Sequence, residues 1–265
     1  MSNKNLNKIS GHFDTGTDQY DGPNYDFELK DFSVKSDGSD VEILFDGIAE
    51  KLINLISQHD VAVGCVAWLT NFDILKALSG CKWVNIVVQK EDFLRHDPNG
   101  VSSNDYEKWK KSLHASYAAL TGKKTSVTKL LHLDSLDELE QNPHFNSRLF
   151  QCCVRLNSEW THYNETIRCL GYASDPMKKT TPKMHHKFLV LGSLNKDLDI
   201  IPEVVWTGSF NFSKNATNSR ENVVIIKDKD IVHSYLSEWA QVWAMSEKLD
   251  WSSPEPVKAQ LYVGS

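Results

Sequence analysis

The chain has 265 residues, 40% of them hydrophobic and including eight Trp and eleven Phe, which is enough apolar mass for one larger domain or two small ones. Lys and Arg number 29 against 35 Asp and Glu, and the resulting net charge of −6 excludes a general nucleic-acid coat protein, which is basic overall. A local cationic cleft is not excluded, and clefts select substrates.

The five cysteines (Cys65, Cys81, Cys152, Cys153, Cys169) are odd in number and show no C-x-x-C spacing. They read as reduced packing residues of a cytoplasmic protein. The first twenty residues contain no apolar signal core, and no run approaches membrane-spanning length. The expectation is a chain that is neither exported nor inserted in a membrane.

Residues 1–40 are rich in Asp, Gly, Ser and Asn, and read as an irregular arm. Order is expected to begin with a strand at Val41 to Phe45, followed by a helix in which Ile48, Leu52, Leu55 and Ile56 recur on one face. The continuous apolar run Val61 to Trp68 has the form of a buried parallel strand. Asn71 with Asp73 opens a short helix through Leu78, and Val84 to Val88 is another buried strand. Strands alternating with helices predict an α/β layer arrangement.

Asn104 with Glu107 resembles a capping box ahead of Tyr106, Trp109, Leu113, Tyr117 and Leu120. Further strands are expected at Leu149 to Leu156, Ile167 to Gly171, Met184 to Leu191, Val204 to Thr207 and Asn222 to Ile226. Asp230 is expected to cap a final helix carrying Ile231, Tyr235, Leu236, Trp239, Val242 and Trp243 on one stripe. No internal repeat is present, so any site occurs once per chain. The domain reading is an arm at 1–40, a catalytic domain at 41–250 with a variable helical insertion at 93–165, and a loose tail at 251–265.

The chemistry concentrates in His185-His186-Lys187, then Gly208-Ser209-Phe210-Asn211, then Glu221. Strand alternation puts His185 and Lys187 on one face and His186 on the other. Ser209 and Asn211 share a face in the same way. If the two strands pair, His185, Lys187, Ser209 and Asn211 converge at one strand end, where Gly208 permits close backbone approach. The set offers an imidazole to attack phosphorus, an ammonium and amides to hold oxyanions, and a carboxylate to orient the imidazole.

This H-x-K followed by G-S-x-N resembles the HKD motif of the phospholipase D superfamily. The run from Gly208 through Asn218-Ser-Arg-Glu-Asn222 is similar to small bacterial endonucleases with one HKD motif per chain. The resemblance implies a phospholipase D-like sandwich, with a mixed central sheet flanked by helices. It also implies a two-step reaction through a phosphohistidine on His185, with a second histidine as general acid and then base. Lys187, Asn211 and Ser209 would hold the non-bridging oxygens, and Glu221 would take the other ring nitrogen of His185. With one motif per chain, the resemblance implies a homodimer that brings two copies of His185 together. The family motif continues to an Asp where this chain has Gly192, and the linker from Gly192 to Gly208 is longer than usual.

Each residue also has a plain reading. H-x-K by itself is weak, Ser209 and Asn211 are ordinary turn residues, and Glu221 is an ordinary edge charge; their joint order and spacing favour the site. Lys178, Lys179 and Lys183 stand just before His185 and read as a substrate-guiding rim, against the alternative of a solvated loop. Lys108, Lys110, Lys111, Lys123, Lys124 and Lys129 read as solvated charges. Ten His show no metal-ligand spacing, so neither a metal nor a cofactor is expected.

The sequence therefore points to a metal-independent nuclease-like phosphodiesterase acting on DNA or RNA. Its rivals are a phospholipid hydrolase, a non-catalytic binding module that keeps the fold, and a restriction-type or phage-defence nuclease with a partner protein.

Overall fold

The computed structural model describes residues 38–95, 104–122, 165–174, 181–197 and 199–256, together with the short pieces 10–12, 26–28, 32–35, 125–126 and 162–163. Among these, the apolar runs become the middle of an eight-stranded mixed sheet. Its strands are β3 (Val34–Lys35), β4 (Val41–Leu44), β5 (Val61–Val66), β6 (Trp83–Gln89), β9 (Ile167–Leu170), β10 (Lys187–Leu194), β11 (Ile200–Gly208) and β12 (Val223–Ile226). They lie in the order β3-β4-β12-β11-β10-β5-β6-β9. Strands β5, β6 and β9 are parallel, and every other neighbouring pair is antiparallel. The expected α/β class with a mixed sheet between helices is borne out.

Every residue of β5 and β6 is buried, because helices cover both faces of the sheet. On one face, α1 (Ile48–Ile56), α2 (Phe72–Leu78) and α3 (Asp105–Ala118) enclose a core that includes Leu52, Leu75, Leu113, Leu189 and Trp206. On the other, α4 (Lys229–Met245) packs Leu236, Trp239 and Trp243 against Val63, Phe188 and Val205. The alternation of β10 divides its residues between these layers, Leu189 and Leu191 going to the first and Phe188 and Val190 to the second.

Local sequence chemistry fixes the helix starts. Asn71 accepts from the amides of Asp73 and Ile74, and Asn104 from that of Glu107. The last helix corrects one expectation. Asp228 is its cap, accepting from Ile231 N at 3.0 Å, while Asp230 lies in the first turn, where a carboxylate favours the helix dipole.

Other expectations also shift. The strand expected over 184–191 runs instead from Lys187 to Leu194, so His185 and His186 precede it. The arm at 1–40 is not wholly irregular: β1 (Ser10–His12) pairs with β2 (Asp26–Glu28), and β3 pairs with the otherwise open edge of β4. Nor is the start of the tail loose. Trp251 is buried, Ala173 N donates to Pro254 O at 2.8 Å, and the fully buried Lys90 donates to Ser253 O and Glu255 O at 2.9 and 2.7 Å. The strand expected at Leu149 to Leu156 lies outside the described residues, as do Lys123, Lys124 and Lys129. The remaining two-residue pieces β7 (Thr125–Ser126) and β8 (His162–Tyr163) pair with each other.

Gly192 occupies a β-bulge between β10 and β11. A Cβ there would stand 2.1 Å from the carbonyl oxygen of Ile201, so the backbones leave no room for the aspartate of the family motif. Gly192 lies five residues along β10 from Lys187, about 16 Å at ordinary strand rise. Its side-chain identity therefore does not bear directly on the groups around His185.

Candidate active site

The antiparallel register pairs Phe188 with Thr207, so Lys187 and Gly208 come next along their strands at the same sheet end. Gly208 is required there: a Cβ would meet Asn222 O at 2.1 Å and Val223 Cα at 2.9 Å. Strand β5 ends at that same edge, where Ala67 N donates to His186 O at 2.9 Å. The chain after β11 docks onto the chain after β5, with Thr70 N and Asn71 N both donating to Phe212 O at 2.7 and 2.9 Å. The edge thus gathers His185, Lys187, Ser209, Asn211 and Glu221, at the C-terminal ends of the parallel strands β5 and β6.

His185 is exposed, and its Nδ1 lies 3.1 Å from Lys187 Nζ, which also donates to His185 O at 2.8 Å. Partial burial, then the Lys187 charge, then His186, hold the imidazole below its ordinary pKa. Each of these causes favours the neutral ring. Burial also lowers the Lys187 ammonium, while Glu221 opposes that shift. Glu221 accepts a short hydrogen bond from Ser209 Oγ, and Ser209 Oγ in turn accepts from Asn222 N at 3.0 Å. No hydrogen bond joins Glu221 to His185 among the described contacts, so the orienting contact expected of Glu221 is absent from this arrangement. Asn211 Oδ1 is buried without a hydrogen-bond partner.

His186 faces the other side of the sheet, where its Nε2 lies 3.2 Å from Glu238 on α4 and its ring meets Phe188 edge-on. A cleft of about 430 Å³ opens there, lined by His185, His186, Thr207, Ser234, Tyr235 and Glu238 among others. Lys183 does not stand free on a rim. It donates to Tyr172 O and Ser174 Oγ at 3.1 and 3.0 Å, and approaches Glu91 at 4.0 Å. Lys178 and Lys179 lie outside the described residues. Among the described residues, no group of three or more His, Cys, Asp or Glu gathers as a metal site.

Sequence reasoning missed Trp68, read only as the end of an apolar strand. Its indole meets His185 edge-on at a centroid distance of 5.6 Å, and Lys187 Nζ lies 5.8 Å from the same ring. The available signal was its position at the mouth of a parallel strand, where α/β sheets place their sites.

Residues 151–243 match the family described as the phospholipase D-like domain of cardiolipin synthase. An uncharacterised protein of Acanthamoeba polyphaga mimivirus is 28% identical over 249 residues, covering 94% of this chain and 75% of the relative. The mitochondrial cardiolipin hydrolase of Canis lupus familiaris is 36% identical over 61 residues, 23% of this chain and 20% of that protein. Among solved structures, the phospholipase D family member Nuc of Salmonella typhimurium aligns with TM-score 0.38 and 19% identity, over 78% of this chain and 95% of that one. The resemblance read from the motif is borne out as a phospholipase D-like domain.

Proposed function

With residues 151–243 matching a phospholipase D-like domain, we infer that the chain is a metal-independent phosphodiesterase that cleaves nucleic acid through a phosphohistidine on His185. The observation that carries this reading is the convergence of an exposed imidazole of depressed pKa, an ammonium 3.1 Å away, and a Ser209–Glu221 pair at one sheet end. In the first step Nε2 of His185 attacks phosphorus, and the bond to the leaving oxygen breaks as a second imidazole protonates that oxygen. In the second, water loses a proton to that imidazole and attacks phosphorus, breaking the P–N bond. Lys187, with Ser209 and Asn211, carries the charge on the non-bridging oxygens.

The second imidazole is His185 of another copy in a homodimer. His186 is a poor candidate within the chain, because it faces α4 and pairs with Glu238. Attack through Nε2 also requires Nδ1 to carry the proton. An ammonium has only donors, so the Nδ1 facing Lys187 accepts in the resting site. Drawing Lys187 onto the substrate phosphate frees Nδ1, so the ring proton can pass from Nε2 to Nδ1 by exchange with water and be donated to Glu221, the carboxylate that already acts electrostatically on Lys187.

Nucleic acid is preferred on the resemblance of the segment after Gly208 to single-motif endonucleases. The cardiolipin hydrolase relative favours a second reading, hydrolysis of an anionic phospholipid. Digests of single- and double-stranded DNA and RNA, beside vesicles of cardiolipin, test both in excess EDTA with His185→Ala as control. Cleavage of nucleic acid by the wild-type chain alone is expected. Loss of activity in EDTA, or turnover of the vesicles only, overturns the reading. Light scattering of the active species is expected to give twice the chain mass.

A further inference from the structure

Outside the motif, the Trp68 side chain meets both members of the His185–Lys187 pair. Trp68 follows β5 directly, and the backbone sets its place: Ala67 N donates to His186 O at 2.9 Å, while Ala67 O accepts from Gln89 N at 3.0 Å. Residue 68 is thereby held between the start of β10 and the end of β6. Its indole is only half-buried, and its ring is the edge-on neighbour of His185 at 5.6 Å, with an interplanar angle of 85°. The ammonium of Lys187 stands 5.8 Å from the ring centroid, within the range of a cation–π contact.

The far side of the indole is fixed by charge. Trp68 Nε1 donates to Glu91 Oε1 at 3.3 Å, and the same carboxylate faces Lys183 Nζ at 4.0 Å. Lys183 is itself held by Tyr172 O and Ser174 Oγ. Burial raises the Glu91 carboxyl, Lys183 and the indole N–H lower it, and Asp92 raises it. A half-buried carboxylate is costly to keep at a sheet end unless its partners use it. Here its partners are the indole N–H of Trp68 and the ammonium of Lys183.

Resting on the reading of His185 as nucleophile, we propose that Trp68 is a positioning residue for the His185–Lys187 pair, and that Glu91, clamped by Lys183, holds it in place. The ring limits the imidazole and the ammonium to one arrangement before substrate arrives, and it covers one side of an imidazole that is otherwise exposed.

The experiment follows hydrolysis of bis(p-nitrophenyl) phosphate in EDTA, and in parallel the NMR titration of His185, assigned by its loss in His185→Asn. Trp68→Leu removes the ring, and kcat is expected to fall about 10²-fold, as for a small misplacement of reacting groups. KM is expected to stay within about twofold, since only transition-state alignment is lost. The His185 titration in Trp68→Leu is expected to move up toward the ordinary value, because burial is the leading cause of its depression while Lys187 and His186 remain. Trp68→Phe keeps a ring and should recover most of the rate. Glu91→Gln keeps an oxygen for the indole and should lie near wild type, whereas Glu91→Leu should behave like Trp68→Phe or worse.

An unchanged kcat in Trp68→Leu overturns the proposal. So does a loss that falls on KM, which would make the ring a substrate contact, or an unmoved His185 titration. Should Trp68→Leu fail to fold by circular dichroism, Trp68→Phe and Glu91→Leu carry the same comparison. Should the wild-type chain not hydrolyse the diester, the phosphodiesterase reading falls while the titration still decides the positioning role.

Discussion

Lys90 lies at the end of β6 with no exposed surface, and its removal is the sharpest test of how the C-terminal segment holds the site. Its ammonium is paired with Glu247, donates to Ser253 O at 2.9 Å and Glu255 O at 2.7 Å, and sits 5.2 Å from the Trp251 ring. Lys90→Met keeps the stem's length but leaves Glu247 and two carbonyls facing no charge. Removing one partner of a buried pair costs about 3–5 kcal/mol. Glu247 is 13% exposed and can turn partly to water, which puts the expected loss near the lower end, about 3 kcal/mol. In urea that is a midpoint shift of about 1 M at the slopes of this size class. Glu91, the next residue, carries the Trp68 contact, so kcat should fall with stability. Lys90→Met combined with Glu247→Leu should be more stable than Lys90→Met alone, since the uncompensated carboxylate is gone. A midpoint within about 0.2 M of wild type for Lys90→Met, on that same slope, would refute the assignment of Lys90 as the anchor.

Asn211→Ala should separate stability from activity. It removes a buried oxygen without a partner, whose cost is about 1–3 kcal/mol, so the melting temperature should hold or rise while kcat falls about 10²-fold. If the proposed nucleophile is the neutral His185 imidazole, the pH–rate profile should keep its acid limb below about 6.5, because its folded pKa is depressed. Protonation is then complete only at lower pH. In Lys187→Met the positive neighbour is gone, so the NMR titration of His185 should move upward. Restoring the family aspartate as Gly192→Asp should destabilise by about 1–3 kcal/mol in urea, since the new Cβ meets the Ile201 carbonyl, and it should not raise kcat.

The parts of this fold that depend on neighbours in sequence were legible, and those that depend on distant backbone were not. Asn71 and Asn104 show their capping roles in the sequence because the donors lie two or three residues on. Asp228 and Asp230 both stand at one helix start, and it is Asp228 that takes the cap, with Asp230 in the first turn. Gly192 looks like the end of a strand, yet β10 continues through a bulge to Leu194 because β11 supplies the pairing. Trp68, Glu91 and Lys183 come together from three elements, and Lys90 reaches more than 160 residues along the chain to Ser253 and Glu255. No local pattern encodes such contacts. The motif residues were findable because they lie on and beside two strands adjacent in both sequence and space.

The remaining gap between expectation and geometry concerns Glu221. A carboxylate that orients a nucleophilic imidazole should accept from its ring, but here it is engaged by Ser209 Oγ while Lys187 takes the imidazole. Each contact gives one charged group a hydrogen-bond partner, and a substrate phosphate would displace both. Two phosphate oxygens offer Lys187 and Ser209 better acceptors than an imidazole and a carboxylate, which leaves Nδ1 free to take the ring proton from Nε2, by exchange with water, and to donate it to Glu221. The exchange replaces two charge-assisted contacts with three, so it needs no stored strain, only the substrate's own charge. Glu221→Gln tests it. The amide still accepts from Ser209, so folding should be unchanged, but it stabilises a developing imidazolium poorly. The loss should therefore appear in kcat, about 10- to 10²-fold, with the acid limb moved to lower pH. A Glu221→Gln chain with wild-type kcat and an unmoved limb would mean that the carboxylate serves only Ser209.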